Sequence, residues 1–507
     1  MIKNVVVLGA GSAGLAAALT LKRTLPMLAV RIIRSPDIGV IGVGEGTTPY
    51  FRWFLFDFLR LDPNVFYREA QPIWKLGIRF LWGPRRDFGY PFGSQFDHRE
   101  PGLSKDNGFY CEESCADANF EAALMGRDRV CVREADGRLT FPPTHAFHLE
   151  NQRLVAYLEA RVREAKVEII DATVNAAETS GEDLAAVLID SGERVTADLF
   201  IDASGFRSEM LGRVLGEPFH DFSGVLFCDR AIIAGWSRDP GEAIQPYTTT
   251  ETMDAGWCWR IDHEHFINRG YVFSSGFCSD EEGLAEFLRK NPKIAAAVNA
   301  GASPPRVVKF RAGRYARSWV GNVIALGNSA GFVEPLEATA LTVLAQGCHR
   351  LAEILFESRC DPQPAMRGLY NFLMNREWDG VRDFLAIHYR FNTLFDTPFW
   401  QMAREETPLG AAAEFVKFYE ENGPCVLSQH VLGHAVVPYG LDGYLTMLVG
   451  QRVPYRQRVV FAPKEIAAWE THRAQNAAHA AGGLTAVEAL AAIRQPEWRW
   501  NLPDRGP

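Results

Sequence analysis

The first residues of the chain alternate between two apolar patterns. Val5–Leu8 is a short β-branched run of strand type, and Leu15–Lys22 has the character of a buried helix. Gly9, Gly11 and Gly14 stand between them, and Ala29–Ile33 reads as a second strand. Lys3 ahead of the small-apolar stretch Val5–Leu21 has the outline of a secretory leader, but three glycines after a β-branched strand argue against one. A glycine-rich strap, Gly39 to Gly46, comes next, and a long helix is expected over Asn151–Ala165. Strands follow at Val167–Ile170, Leu184–Leu188 and Leu199–Ile201. Alternation at Val225–Arg230 and Gly270–Ser275 predicts a mixed or antiparallel sheet. Val323–Leu326 is a further buried strand, feeding Gly327-Asn-Ser-Ala-Gly331 and a helix that runs to about Phe356. The rest, from about 362, is mainly helical, with Ala467–Ala481 and Leu484–Ile493 separated by Gly482-Gly483. The fold class is α/β.

Composition narrows the function. The chain has 507 residues, 47% hydrophobic and 23% charged, which excludes a disordered or fibrous protein and allows two or three domains, or one discontinuous module with an appendage. A net charge of −9 without basic runs disfavours nucleic acid and anionic membrane surfaces as partners. No apolar run is long enough to predict a membrane span. Nine scattered cysteines without a CxxC read as reduced thiols, hence a cytoplasmic location and neither a disulfide framework nor a zinc site. His145, His148, His388 and His430 have no metal-ligand spacing and read as satisfied or exposed; no metal is expected. The 33 Phe and 12 Trp suit flat apolar pockets.

The clearest chemistry is Gly9-Ala-Gly11-Ser12-Ala13-Gly14 between strand and helix. The first glycine permits the tight turn, the second lets the backbone approach a pyrophosphate, and the third lets helix pack on strand. The helix N-terminus adds N–H groups and positive dipole for the anion. A ribose-binding acid is expected about 20 residues on. Arg34 stands there instead, suiting a 2′-phosphate or leaving the ribose to Ser35 or backbone, and this weakens an NAD reading. Asp202-Ala-Ser-Gly205 and Gly327-Asn328-Ser-Ala-Gly331 end strands beside helix starts and form a second anion cradle, which favours FAD. With no second such fingerprint, one flavin and no separate nicotinamide domain are expected.

These motifs, with several others, resemble the flavin-dependent halogenases of the tryptophan-halogenase family. The matching segments are Gly9–Gly14, Gly42-Val-Gly-Glu-Gly46-Thr47-Thr-Pro49, Trp74-Lys75-Leu-Gly-Ile78, Tyr90-Pro-Phe92-Gly93 and Asp202–Ser208. Gly256-Trp257-Cys-Trp259-Arg-Ile261, Gly327–Ala340 and Met447–Gln451 with Pro454 complete the set. The resemblance implies an FAD-binding Rossmann-like module of the hydroxylase and glutathione-reductase type, with a mixed substrate sheet and a mainly helical C-terminal part. The division expected is 1–361 for the FAD module with its interleaved substrate sheet and 362–507 for a helical substrate-capping region. It further implies a two-component enzyme: a separate flavin reductase supplies FADH2, O2 and chloride or bromide yield hypohalous acid, and an electron-rich aromatic is halogenated.

By resemblance, Lys75 captures hypohalous acid, by hydrogen bonding or as a haloamine, and Glu337 accepts the ring proton. Residues Gly46, Thr47, Phe332 and Leu341 join the cofactor set, Thr339 and Ala340 the halide site, and Tyr90, Phe92, Trp257 and Trp259 the substrate pocket and tunnel. Each has a plainer alternative: a surface lysine on an amphipathic helix, a carboxylate favoured by a helix dipole, and tryptophans packed in a core. Four departures stand out. Ala340 replaces the family's commoner glycine, Asp262 its proline after Ile261, and Tyr90 its histidine. The fourth is Val436–Tyr444, which does not reproduce the Tyr-rich lid, ending in an acid, that holds an amino-acid backbone. Indole or an indole derivative is therefore expected before free tryptophan. A flavin-dependent aromatic hydroxylase shares the flavin motifs but gives no role to Lys75 or the tryptophan pair; a catalytically silent flavoprotein is the remaining alternative.

Overall fold

The computed structural model describes residues 1–39, 44–94, 96, 101–105, 107–112, 114–432 and 439–500. Gly42 and Val43 of the strap motif, and residues 436–438 of the C-terminal segment, lie outside them. The chain divides into two compact units, each assembled from three stretches.

The first unit, Met1–Leu61, Leu149–Ser223 and Arg311–Val381, is built on a six-stranded sheet. Strand Asn4–Leu8 lies near its centre, paired in parallel with Ala29–Arg34 and Leu199–Asp202. Glu168–Asp171 extends one side, and Val323–Ala325 followed by antiparallel Trp319–Val320 extends the other. A parallel order with helical crossovers is the doubly wound arrangement the α/β pattern predicts. Val5, Val6 and Val7 are buried, as both faces of a covered parallel sheet require. Helices Ser12–Thr24, Asn151–Glu164 and Ala340–Glu357 belong to this unit, the first touching both others.

The second unit, Asp62–His148, Gly224–Phe310 and Arg382–Pro507, holds a seven-stranded sheet. Its order is Arg306–Lys309, Arg230–Ser237, Phe266–Phe273, Gly256–Asp262, Thr248–Met253, Gly77–Leu81 and Phe88–Pro91. All neighbours are antiparallel except Thr248–Met253 with Gly77–Leu81. The sheet is mixed, as expected, but Val225–Cys228 is not strand; pairing begins at Arg230, opposite Phe273. One face carries Ile232, Met253, Cys258, Tyr271 and Phe273 against Phe287 and Ile294 of helices Asp280–Lys290 and Pro292–Asn299. Strand alternation sends Trp257 and Trp259 to the other face. A short ladder pairs Ile73–Lys75 with Ala146–His148.

Candidate functional site

In the first unit the glycine turn is forced by close approach. A Cβ on Gly9, whose φ is +109°, would sit 2.4 Å from the Ala203 carbonyl oxygen, and one on Gly14 would sit 1.9 Å from that of Gly9. Gly11, by contrast, has nothing within 4 Å, so its backbone is open to a ligand. The helix beginning at Ser12 has no side-chain cap and no acid in its first turn, which leaves N–H groups and positive dipole for an anion. These residues fit a pyrophosphate. Ala13 meets Gly327, which takes φ of +64° and would bring a Cβ to 3.0 Å from it.

Asp202 organises the second cradle from beneath. Its buried carboxylate accepts from the Ser204 N–H and hydroxyl and from the Met210 and Leu211 N–H groups. Burial outweighs these bonds and raises its pKa. Its carbonyl accepts from the Ser329 hydroxyl and the Leu326 N–H, so the loops after Asp202 and before Gly331 are joined. Asn328 lies in the short turn Gly327–Ser329, and Phe332 packs edge-on against half-exposed Phe206, centroids 5.0 Å apart. Arg34 is bound to Asp171 and Glu159 at 2.7 and 3.1 Å, while Ser35 contacts Thr173. In the strap, Gly46 and Thr47 are buried, Thr48 meets Thr342 at 2.7 Å, and burial lifts the Glu45 carboxyl to about 7.

Glu337 closes the turn Pro335–Glu337 and is buried. Ala338 follows with φ of +58°, a left-handed conformation that costs an alanine free energy and therefore marks a fixed turn. Thr339 and Ala340 begin helix Ala340–Glu357, which likewise lacks a side-chain cap or an acid in its first turn, and Leu341 is buried behind them.

In the second unit the register gathers the remaining residues. Thr250 pairs with both Trp259 and Phe80, and Thr248 with Ile78, itself opposite Tyr90. Directly paired residues share a face, so Trp257, Trp259, Thr248 and Tyr90 lie on one side of the sheet. The indoles are 6.0 Å apart, and Trp259 Nε1 donates to the Asn268 side chain at 3.0 Å. Gly270 makes this possible: a Cβ there would lie 1.9 Å from Trp259 Cζ2. Tyr90 donates to the Tyr439 carbonyl and meets Phe92 edge-on.

Lys75 is on a strand and wholly buried, which overturns the surface-helix alternative; its Nζ lies 5.2 Å from the centre of the Phe92 ring. Ala146 sits directly opposite, and His148, two residues on, shares the face. His148 Nδ1 is 3.2 Å from the Asp262 carbonyl and Nε2 is 2.9 Å from the Thr248 hydroxyl. Burial first, and then the Lys75 charge, push its pKa well down. The sequence pointed to Asp262 only as a departure, and gave no local signal for His148 or Thr248. Asp262 is a buried anchor: its carboxylate meets Arg238 and Arg260 at 3.0 and 2.8 Å and accepts the Gln245 N–H.

Around Phe384, Tyr439 stacks at 4.0 Å and Tyr444 packs at 4.9 Å. A cavity of about 720 Å³ lies on the sheet's opposite side, lined by Arg79, Asp87, Gly89, Pro91, Met125 and Tyr247 among others. None of the predicted residues lines it. Among the described residues, no group of three or more His, Cys, Asp or Glu is placed to hold a metal ion, and no helix is long and apolar enough to cross a membrane.

Comparison with known proteins identifies the family and the fold. The family model for tryptophan halogenase matches residues 4–463. The tryptophan 7-halogenase KtzQ of Kutzneria is 32% identical over 450 residues, covering 84% of this chain and 83% of that protein. Among solved structures, MibH, a lanthipeptide tryptophan 5-halogenase, aligns with a TM-score of 0.87 at 36% identity, over 97% of this chain and 93% of its own. BrvH, a flavin-dependent halogenase from Brevundimonas, aligns at 0.84 with 28% identity, over 97% and 99%. Matched almost end to end, and sharing a third of its aligned positions with a curated halogenase, this chain belongs to the tryptophan halogenase family of flavin-dependent enzymes.

Proposed function

We propose that this protein halogenates indole or an indole derivative rather than free tryptophan, using FADH2 from a separate reductase and chloride or bromide. The observation that carries it is the enclosure of Lys75: a lysine buried on a strand beneath an aromatic ring needs a reason, because an ammonium leaves water at a cost of several kcal/mol. FAD, when bound and reduced, supplies the electrons that turn O2 and halide into hypohalous acid.

Gly9, Gly11, Ser12, Ala13 and Gly14 would hold its pyrophosphate, with Gly46, Thr47, Asp202, Gly327, Asn328, Gly331, Phe332 and Leu341 shaping the rest of the cradle and Arg34 bracing its edge. Thr339 and Ala340, at an uncapped helix start, are the proposed halide site. Lys75 holds the hypohalous acid by donating from Nζ. Its halogen then bonds to an aromatic carbon as the oxygen–halogen bond breaks, the departing hydroxide takes the Nζ proton and leaves as water, and the carbon's proton goes to the Glu337 carboxylate, so that the step ends with a neutral amine and a protonated carboxyl. Tyr90, Phe92, Trp257 and Trp259 wall the reaction from solvent, so an oxidant that water would scatter meets one ring position. The preference for a ring without a free amino-acid handle rests on the sequence of Val436–Tyr444, which departs from the Tyr-rich lid ending in an acid.

The test supplies reductase, FAD, NADH, bromide or chloride, and either indole, an indole-bearing peptide or free tryptophan, with products read by mass spectrometry. Halogenated indole or peptide in excess over halotryptophan is expected. Halotryptophan as the main product overturns the substrate assignment. Absence of any halogenated product, or rapid NADH oxidation without the reductase, favours the hydroxylase.

A further inference from the structure

The cavity on the far side of the sheet has no part in the halogenase reading, yet it lies close to the proposed oxidant. Its wall includes Pro91, which immediately precedes the Phe92 whose ring faces Lys75 Nζ at 5.2 Å. Met125 is also in the wall, and its sulfur packs against Gly77, two residues past Lys75. A Cβ on Gly77 would lie 2.8 Å from Met125 Sδ. Met125 shares a buried apolar cluster with Leu76, the residue next to Lys75. An oxidant that strays to this side of the lysine therefore comes among sulfur atoms, which hypohalous acids oxidise readily.

Two more sulfurs stand there as a pair. Cys115 is half-buried and lines the cavity together with Arg85, while Cys111, four residues earlier, is wholly buried. As a thiol, Cys115 donates to the Cys111 carbonyl oxygen at 3.6 Å, so the chain turns back on itself within the pair. As a thiolate, it accepts the Cys111 S–H. That bond holds Cys115 below the ordinary thiol range; burial opposes it, and the charges of Arg85 and Arg473 assist it. Cys111 is pushed well up, by burial first and by Cys115 second. Burial also lifts Cys258 and Cys278 to about 11 and Cys131 and Cys348 to about 12, which leaves them poor nucleophiles. An accessible thiolate with a protonated thiol beside it has the two parts that a disulfide-forming oxidant sensor needs.

We infer that Cys115 and Cys111 form a quenching site for hypohalous acid, which converts them to a disulfide and so spares Met125. This rests on the halogenase reading, which supplies the oxidant. The Cys115 thiolate attacks the halogen, a sulfur–halogen bond forms as the halogen–oxygen bond breaks, and hydroxide leaves. The Cys111 sulfur then displaces halide to close the S–S bond, and its proton joins the hydroxide as water. The two sulfurs together lose two electrons, and the halogen gains them in becoming halide. A reductant of the thiol class reopens the pair. Met125 has no such exit, because its sulfoxide would stand as a polar group among Leu76, Leu124 and Val132.

The experiment reads a single tryptic peptide, 106–127, in which Cys111 and Cys115 are the only cysteines and Met125 the only methionine. In the first arm, substoichiometric reagent hypobromite is added to the FAD-loaded enzyme without reductase, free thiols are alkylated, and the peptides are weighed. Peptide 106–127 should carry no alkyl group and weigh two hydrogens less than its reduced form, before the peptides of Cys278 and Cys425 react. In Cys115→Ser, Met125 sulfoxide should rise several-fold. In Cys111→Ala, Cys115 should advance to sulfinic acid, because no neighbouring thiol resolves it. Cys278 or Cys425 reacting first, or equal Met125 sulfoxide in the parent and Cys115→Ser, overturns the inference. The second arm is turnover with reductase, FAD, NADH, bromide and limiting indole, with catalase present to remove hydrogen peroxide. The same disulfide should form, and only with bromide; equal disulfide without bromide overturns the inference. Bromoindole without the disulfide overturns it alone. Neither bromoindole nor disulfide, after the expected result with reagent hypobromite, overturns the halogenase assignment and takes the quenching role with it.

Discussion

Gly270→Ala is the perturbation whose cost can be worked most directly. Glycine here is not at a positive φ, so alanine meets no backbone strain, and in a strand interior it even gains about 0.5–1 kcal/mol over glycine. The obstacle is one ring. The new methyl would lie 1.9, 2.1 and 2.3 Å from Trp259 Cζ2, Cη2 and Cε2, and ordinary contact requires the indole to retreat by roughly 1.5–2 Å. Retreat breaks the 3.0 Å bond from Nε1 to the buried Asn268 side chain, which costs about 1 kcal/mol or more. Overpacking adds about 1–3 kcal/mol, for a net loss of roughly 2–3 kcal/mol. Trp259→Phe removes the clashing part of the ring, so in that background Gly270→Ala should cost close to nothing. Denaturant unfolding of the four proteins of this cycle, followed by far-UV circular dichroism, measures the coupling, expected near 2 kcal/mol. Equal costs of Gly270→Ala with and without the indole would refute the placement of Trp259 over Gly270.

Other outcomes follow from the same structure. Gly14→Ala puts a methyl 1.9 Å from the Gly9 carbonyl oxygen and should lower FAD affinity at least tenfold by flavin fluorescence titration; undiminished affinity would remove the turn from the cofactor site. Glu377, buried with one carboxylate oxygen lacking a hydrogen-bond partner, has its pKa lifted by burial from 4.5 to about 7. The folded state then holds the proton over a range where the unfolded chain has released it, so this group's contribution to stability falls as pH rises from about 4.5 to about 7. Glu377→Gln should erase that slope and exceed the parent in stability at pH 8 by about 3 kcal/mol; a parent more stable than the variant at that pH contradicts it. Asp262→Ala removes the buried carboxylate shared by Arg238 and Arg260, leaving Arg238 only its bonds to the His263, Glu242 and Ala243 carbonyls, and should cost about 2–3 kcal/mol in unfolding free energy, whereas a loss below 1 kcal/mol would deny Asp262 its anchoring role.

Local pattern carried what is local in origin. The turn at Gly9–Gly14 was legible because strand, glycines and helix adjoin in the chain, and Trp257 and Trp259 because alternation needs only their own strand. Lys75 was harder: a run as short as Ile73–Leu76 does not tell strand from helix, and its burial comes from pairing with Ala146, seventy positions away. The strand expected over Val225–Arg230 starts at Arg230 because its partners, Phe266–Phe273 and Arg306–Lys309, fix the ladder's end, and neither is visible from 225. His148 read only as one of several satisfied or exposed histidines, and it is satisfied, but its partners were not legible. Its meaning lies in a carbonyl and a hydroxyl more than a hundred positions along the chain or close to it, and the single hint was that Asp262 broke a resemblance.

The measurement that bears most directly on the account is the fate of the halogen when the amine at position 75 is removed while the fold and the flavin are kept. FAD-loaded Lys75→Ala, given reductase, NADH, O2, bromide and indole, should still consume O2 at the parent rate and release trappable oxidant, yet form no bromoindole. Bromoindole at the parent rate from that variant would contradict the account.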